Sequence, residues 1–121
     1  MIVRRSGKLN FYPNYWNGIS GFLDDRRSLQ KKIEDEIKEE TGISKKEIFS
    51  IRLGNIFHQK DKRYKKTWIV HPVLVKIKID KIKFDWETQD YKWIKVNEIR
   101  KFKLLPGFEK VIRSFFKLIK N

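Results

Sequence analysis

Three glutamates in the first half of the chain have the types and spacing that suit metal chemistry. Glu36, Glu39 and Glu40 stand at positions i, i+3 and i+4, and in a helix their side chains would share an arc of about 100°. Carboxylates crowded on one stripe repel each other unless a cation lies among them, and Mg²⁺ prefers such oxygen ligands. A solvated acidic face, neutralised by neighbouring lysines such as Lys31 and Lys32, would give the same pattern. The three residues alone leave both interpretations open.

A helix is the element that must carry these glutamates, and the sequence predicts one over residues 28–41. Ser28 can cap its first turn, and Gly42 fits the left-handed position that ends a helix. Apolar residues recur at four-residue spacing on one face: Leu29, Ile33 and Ile37. The predicted helix therefore has an apolar side for the core and an acidic side for a site.

Strands and helices alternate along the rest of the chain. Strands are predicted at residues 1–5 (at the edge of a sheet), 16–23, 48–59, 68–79 and 91–94, with Pro72 indicating an edge or a bulge in the fourth. A short helix is predicted at 96–102 and an amphipathic one at 107–120, with Phe108, Val111, Ile112, Phe115 and Ile119 inward. This order predicts a single domain over residues 1–121 of the α/β (α+β) class, with helices flanking a mixed sheet.

Composition narrows the class of protein. The chain of 121 residues has no cysteine, which excludes disulfides and thiolate metal sites. No apolar run approaches the roughly 20 residues of a membrane span, and the first residues lack a signal-peptide core, so a soluble cytoplasmic protein is expected. The net charge of +14 suits a polyanionic partner, although a solvated lysine coat would explain it equally well. The cations are densest at residues 60–66 and 76–83.

The surroundings of the glutamates resemble the Nudix box. That pattern is Gly, five residues, Glu, seven residues, then Arg-Glu-apolar-any-Glu-Glu-any-Gly-apolar, and it aligns without gaps on residues 21–43. The matching positions are Gly21, Glu36, Ile37, Glu39, Glu40, Gly42 and Ile43. Downstream, residues 86–94 resemble a second segment common in the family, and Pro106 and Gly107 precede a closing helix. The resemblance implies a Nudix-like α/β/α sandwich with a mixed central sheet.

Two box positions depart from the pattern. Arg27 stands where the family has its first Glu, and Asp35 where it has Arg. Because both charges have changed sign, an Arg27–Asp35 pair could replace the usual Glu–Arg pair and preserve the loop–helix geometry. A degenerate, inactive box is the alternative.

The resemblance also implies roles for particular residues. Glu36 and Glu40 would be inner ligands of Mg²⁺ or Mn²⁺, and Glu39 a further or water-mediated ligand. The backbone carbonyl of Ser20 would complete the coordination. Glu87 would supply another ligand or a general base.

Substrate contacts are less sharply indicated. Arg4, Arg5 or Lys8 would face a diphosphate, and the sequence does not choose among them, although Arg4 is kept as the candidate. Tyr12 and Tyr15 are candidates for stacking on a base, whereas Trp16, Trp86 and Trp93 are expected to be packing residues.

The family resemblance implies hydrolysis of a phosphoanhydride bond in a nucleoside diphosphate linked to another group. A nucleoside triphosphate or related nucleotide is the expected substrate, an RNA 5′ end stays open, and a homodimer is possible. The alternative is a decayed Nudix fold that binds RNA or DNA through its basic surface.

Overall fold

The computed structural model describes residues 1–19, 28–79, 82–83 and 88–117 of the chain. The strands are β1 (Ile2–Arg5), β2 (Trp16–Asn17), β3 (Ile48–Leu53), β4 (Phe57–Asp61), β5 (Lys66–Val70), β6 (Val73–Ile77) and β7 (Thr88–Lys92). The α-helices are α1 (Leu29–Thr41) and α2 (Phe108–Arg113), and two 3-10 helices span Lys45–Glu47 and Val96–Lys101. In the part of the chain described, no helix has the length and apolar character needed to cross a membrane.

Helix α1 forms where the sequence predicts it. Ser28 is the N-cap, and its hydroxyl accepts a hydrogen bond from the amide of Lys31 at 3.2 Å. Gly42 ends the helix with a φ of 73°, a conformation that disfavours residues with a side chain. Ile37 is buried, with Leu29 and Ile33 half-buried on the same face. The predicted caps and the apolar face are confirmed, and together they fix how the glutamates emerge from the helix.

A three-stranded antiparallel sheet has the order β2-β1-β7. Val3 pairs with Asn17 on one side and with Tyr91 on the other, so β1 is central and the predicted edge position is wrong. Ile2 and Val3 are buried, as a strand flanked on both sides requires. Trp16 also forms an isolated parallel bridge to Leu104, whereas the pairings between the named strands are antiparallel. Together with the helices, these strands confirm the α/β (α+β) class.

The two longest predicted strands are each divided in two. Residues 48–59 form β3 and β4, residues 68–79 include most of β5 and all of β6, and β3 pairs with β6 while β4 pairs with β5. Gly54 donates its amide to the carbonyl of Pro72 at 2.9 Å, and a Cβ at Gly54 would lie 3.0–3.1 Å from Pro72, Ser114 and Phe115. The β3–β6 pairing and the β4–β5 pairing are therefore interrupted at the same point, where Gly54 and Pro72 meet the C-terminal segment.

The C-terminal elements differ from their predictions. The strand predicted at residues 91–94 is β7, at Thr88–Lys92, and the helix predicted at 96–102 is the 3-10 helix Val96–Lys101. The last helix is shorter than the predicted 107–120, because the amide of Ser114 reaches the carbonyls of both Lys110 and Val111 at 3.1 Å and the turn tightens there. Ile119 lies outside the described residues.

Candidate functional site

The glutamate stripe of α1 is the centre of the predicted site. Glu36, Glu39 and Glu40 lie in one helix at the expected spacing, with Glu39 exposed and the other two half-buried. Ile37, between them in sequence, is buried on the core side. The helix therefore presents the carboxylates away from its apolar face, at the border between core and solvent.

A lysine lies against the first of these glutamates. Lys32 Nζ is 2.8 Å from Glu36 Oε1, one helical turn away. Lys32 is only 7% exposed, and a buried ammonium is stable only when a partner compensates its lost hydration. The pair therefore holds the Glu36 carboxylate in place and partly neutralises it.

Asp35, the box position predicted to pair with Arg27, has a cation close to it on α1. Asp35 Oδ1 lies 2.9 Å from Lys31 Nζ, also one turn away on α1. Arg27 lies outside the described residues, so the hypothesis that it pairs with Asp35 stays a prediction. The ion pair with Lys31 gives the Asp35 carboxylate a cation on its own helix.

The donor set can be compared with what a divalent ion requires. Carboxylate oxygens are the ligands that Mg²⁺ and Mn²⁺ prefer, so the chemistry of the stripe fits such a metal. The Lys32 ammonium already neutralises part of the Glu36 charge, so it would compete with a metal ion for this carboxylate. Within the four described ranges, no three acidic, histidine or cysteine side chains come together as a metal-binding group. Ser20 and Glu87, the other predicted donors, lie outside those ranges.

The N-terminal cations have different environments. Arg5 donates from Nε and Nη2 to the carbonyl of Phe11, at 3.1 and 2.9 Å, and so anchors the loop that follows β1. Arg4 Nε is buried and has no hydrogen-bond partner among the described residues. Lys8 is exposed. Arg5 therefore holds the loop that follows β1, whereas Arg4 Nε is a buried donor without a partner among the described residues.

A buried carboxylate that the sequence did not single out lies at the end of β4. Asp61 is 4% exposed and accepts three hydrogen bonds: from the Tyr12 hydroxyl at 2.8 Å, the Tyr64 amide at 3.1 Å and the Trp68 indole at 3.3 Å. The sequence around Asp61 indicates this buried acid only weakly. It shows one acid among lysines, with a tyrosine three residues later and a tryptophan seven residues later.

Aromatic rings surround Asp61 and join the loop after β1 to the β4–β5 hairpin. We call this group the Asp61 cluster; besides Asp61 it comprises Phe11, Tyr12, Tyr15, Tyr64 and Trp68. The rings meet edge to face, at centroid distances of 4.7 Å for Phe11–Tyr64, 4.8 Å for Tyr12–Tyr64 and 4.9 Å for Tyr12–Tyr15. The Tyr64 hydroxyl also accepts a hydrogen bond from the Tyr12 amide at 2.9 Å. The cluster therefore fixes one segment against the other.

The hydrogen bonds within the cluster perturb both ionisable groups. Burial would raise the pKa of Asp61, but donation by the Tyr64 amide, the Tyr12 hydroxyl and the Trp68 indole outweighs it, so the pKa is lower than usual. Burial, followed by the hydrogen bond to Asp61 and its charge, raises the pKa of Tyr12 to about 12. At neutral pH Asp61 is therefore ionised and accepts hydrogen bonds, and Tyr12 is protonated and donates one.

The predicted base-stacking residues take different positions. Tyr12 is 7% exposed and bonded to Asp61, so its ring lies inside the cluster. Tyr15 is half-buried at its border, where its hydroxyl lies 3.4 Å from Arg63 Nη1. Trp16 packs against Phe102 at a centroid distance of 5.3 Å, as expected. Trp93 is 49% exposed, so its predicted packing role is wrong, and Trp86 lies outside the described residues.

Comparison with known proteins gives a family and a fold. The sequence model of the NUDIX domain matches residues 1–116. No curated protein sequence matches the chain.

Three solved structures are similar in fold. A MutT protein from Methanosarcina mazei Go1 is 22% identical, with a TM-score of 0.72 over 94% of this chain and 80% of its own. A C. elegans Ap4A hydrolase, solved as a binary complex, is 19% identical, with a TM-score of 0.70 over 94% of this chain and 81% of its own. The NUDIX domain of Shewanella oneidensis NrtR, solved with ADP ribose, is 17% identical, with a TM-score of 0.69 over 93% and 72%.

Proposed function

The chain belongs to the Nudix family, and we propose that it hydrolyses a phosphoanhydride bond in a nucleoside diphosphate linked to another group. A nucleoside triphosphate or a related nucleotide is the proposed substrate. The observation that supports this most strongly is helix α1, which carries Glu36, Glu39 and Glu40 at the spacing of the family's box. Two structures of similar fold are an Ap4A hydrolase and a domain bound to ADP ribose, which agrees with a nucleotide ligand.

Mg²⁺ or Mn²⁺ is the proposed cofactor. Glu36 and Glu40 would hold it, with Glu39 as a further ligand and with Ser20 and Glu87 completing the set. When bound, such an ion neutralises phosphate charge and lowers the pKa of a coordinated water.

The chain's own residues have three tasks in this reaction. A glutamate of the stripe or Glu87 accepts the proton of the attacking water. Lys32 orients Glu36 through its ion pair at 2.8 Å. Arg4, whose buried Nε lacks a partner among the described residues, is proposed to donate to a substrate phosphate.

The base of the nucleotide is proposed to contact Tyr15. The Tyr15 ring is half-buried and lies next to the Tyr12 ring. Tyr12 is buried beneath it, so we assign Tyr12 the task of holding the loop that carries Tyr15. Stacking on one partly exposed ring tolerates different bases, which agrees with a family that accepts many nucleotides.

Product release from a nucleotide panel tests the proposal. The panel contains nucleoside triphosphates, ADP-ribose, dinucleoside polyphosphates and 5′-triphosphate RNA, each with Mg²⁺ or Mn²⁺. We compare the wild type with Glu40→Gln and with Glu98→Gln, a matched change outside α1 at an exposed hydrogen bond that glutamine can keep. Metal-dependent cleavage that Glu40→Gln loses and Glu98→Gln keeps supports the hydrolase. Equal rates in all three proteins contradict it.

A further inference from the structure

We propose that the tip of the β4–β5 hairpin and the Asp61 cluster form a docking surface for single-stranded nucleic acid, distinct from the proposed hydrolysis. The tip, which we call the basic hairpin, comprises residues 60–66. It carries five cations and a single carboxylate, Asp61. All five cations are exposed, whereas Asp61 is buried in its hydrogen bonds. The surface of the tip is therefore strongly positive although an acid lies within it.

Three cations of this surface lie over aromatic rings. Lys66 Nζ is 4.6 Å from the centroid of Phe11, and Arg63 Cζ is 5.1 Å from that of Tyr12. Lys103, from outside the hairpin, is 4.5 Å from the centroid of Tyr15. These distances are those of cation–π contacts. The contacts with these rings therefore favour defined positions for the three cationic groups.

The aromatic rings also offer partly exposed surface of their own. Phe11, Tyr15, Tyr64 and Trp68 are each half-buried. A ligand with alternating anionic and planar groups can place phosphates on the cations and bases against the rings. Proteins that bind single strands combine these two features, a basic track and stacking platforms.

The surface is held together by its own hydrogen bonds before any ligand arrives. Asp61 joins Tyr12 of the loop after β1 to Tyr64 and Trp68 of the hairpin, and the Tyr64 hydroxyl bonds back to the Tyr12 amide. Binding to a pre-ordered surface loses less conformational entropy than binding that must first order it. The buried carboxylate therefore has a role in recognition without contacting the ligand.

The chemistry favours single strands over other anionic partners. A duplex hides the faces of its bases, so only its phosphates could use this surface, and an acidic peptide has no regular planar groups. Mononucleotides are too short to span five cations. The proposed surface comprises the basic hairpin and the Asp61 cluster; it shares Tyr15 with the proposed nucleotide site but needs neither metal nor the glutamates of α1.

Fluorescence anisotropy with a labelled 12-nucleotide single strand, in EDTA, tests the proposal. The hairpin variant is Lys60→Gln/Lys62→Gln/Lys65→Gln, three exposed lysines that leave the ring contacts intact. The matched control is Lys46→Gln/Lys78→Gln/Lys101→Gln, which removes the same charge from exposed positions elsewhere. Because each phosphate contact adds about 0.7 to the slope of log K against log salt for single strands, the hairpin variant should lose about 2 from that slope. We expect at least a tenfold loss of affinity, against less than threefold in the control.

A ring substitution and a competitor separate docking from simple charge attraction. Tyr64→Leu, checked for folding by circular dichroism, should weaken single-strand binding at least fivefold, since a base can no longer stack on the Tyr64 ring. Duplex of equal length should bind more weakly than the single strand. Equal losses in the two lysine variants, or equal affinity for duplex and single strand, would overturn the proposal. Glu40→Gln should bind like the wild type, so failure of hydrolysis and failure of docking are distinguishable.

Discussion

Replacing Asp61 by asparagine should destabilise the protein markedly. The carboxylate accepts three hydrogen bonds at 2.8–3.3 Å while 4% exposed. Asparagine keeps one oxygen for Tyr12 and Tyr64, but its amide nitrogen would then face the Trp68 indole, another donor. Losing a charge-assisted bond and leaving a buried donor unpaired together cost about 2–4 kcal/mol.

That cost translates into a large change in melting temperature. An unfolding entropy of about 2.1 cal/mol/K per residue gives roughly 0.25 kcal/mol/K for a chain of this length. Asp61→Asn should therefore lower the Tm by about 8–16 °C in a thermal melt followed by circular dichroism. Asp90→Asn is the matched control, because Asp90 is exposed, and it should change the Tm by about 2 °C or less.

The pH dependence of the same pair of proteins gives a second readout. The hydrogen bonds keep the pKa of Asp61 below its usual value in the folded state despite burial. Its stabilisation is therefore complete above the unfolded-state pKa of about 4 and is lost as the pH falls toward the folded-state pKa. The difference in Tm between wild type and Asp61→Asn should shrink below about pH 4. A Tm within 2 °C of wild type at pH 7, or a difference that stays constant from pH 6 to pH 3, would refute the reasoning.

Three further predictions concern α1 and the break between the hairpin ladders. Lys32→Met should tighten Mn²⁺ binding about tenfold, measured by calorimetry, because it removes the cation that partly neutralises Glu36. The free energy of a tenfold change is a fraction of the ~4 kcal/mol attraction between unit charges 4 Å apart near a surface. An unchanged affinity for Mn²⁺ would contradict a neutralised Glu36. Arg27→Glu with Asp35→Arg should restore stability and turnover relative to either single variant, and a double variant no better than the singles would exclude the pair. Gly54→Ala should cost about 1–3 kcal/mol in a denaturant melt, because the new Cβ would lie 3.0–3.1 Å from three neighbours; wild-type stability would show that the neighbours yield.

Helix α1 was predictable because its determinants are local. The Ser28 cap, the Gly42 terminus and the apolar spacing all lie within the helix or one residue beyond it, so the sequence alone places the glutamates on one face. The box spacing then links that face to phosphate chemistry.

The features that the sequence did not reveal depend on distant contacts. Strand β1 is central because β7, some 90 residues away, pairs with it. The long strands break where Gly54 meets Pro72 and the C-terminal segment; the sequence indicates an irregularity at Pro72 but not this contact. The Asp61 cluster joins residues 49–52 positions apart, so a single aspartate among lysines gave no reason to expect a buried acceptor.

Metal-dependent hydrolysis by the glutamates of α1 is the central claim. The most direct measurement is release of product from the nucleotide panel with Mg²⁺ or Mn²⁺, for the wild type and for Glu40→Gln, with folding of both checked by thermal melt. The claim predicts cleavage by the wild type that EDTA abolishes and that falls at least a hundredfold in a folded Glu40→Gln. Cleavage that survives both EDTA and the substitution, or no turnover of any nucleotide by the folded wild type, would contradict it.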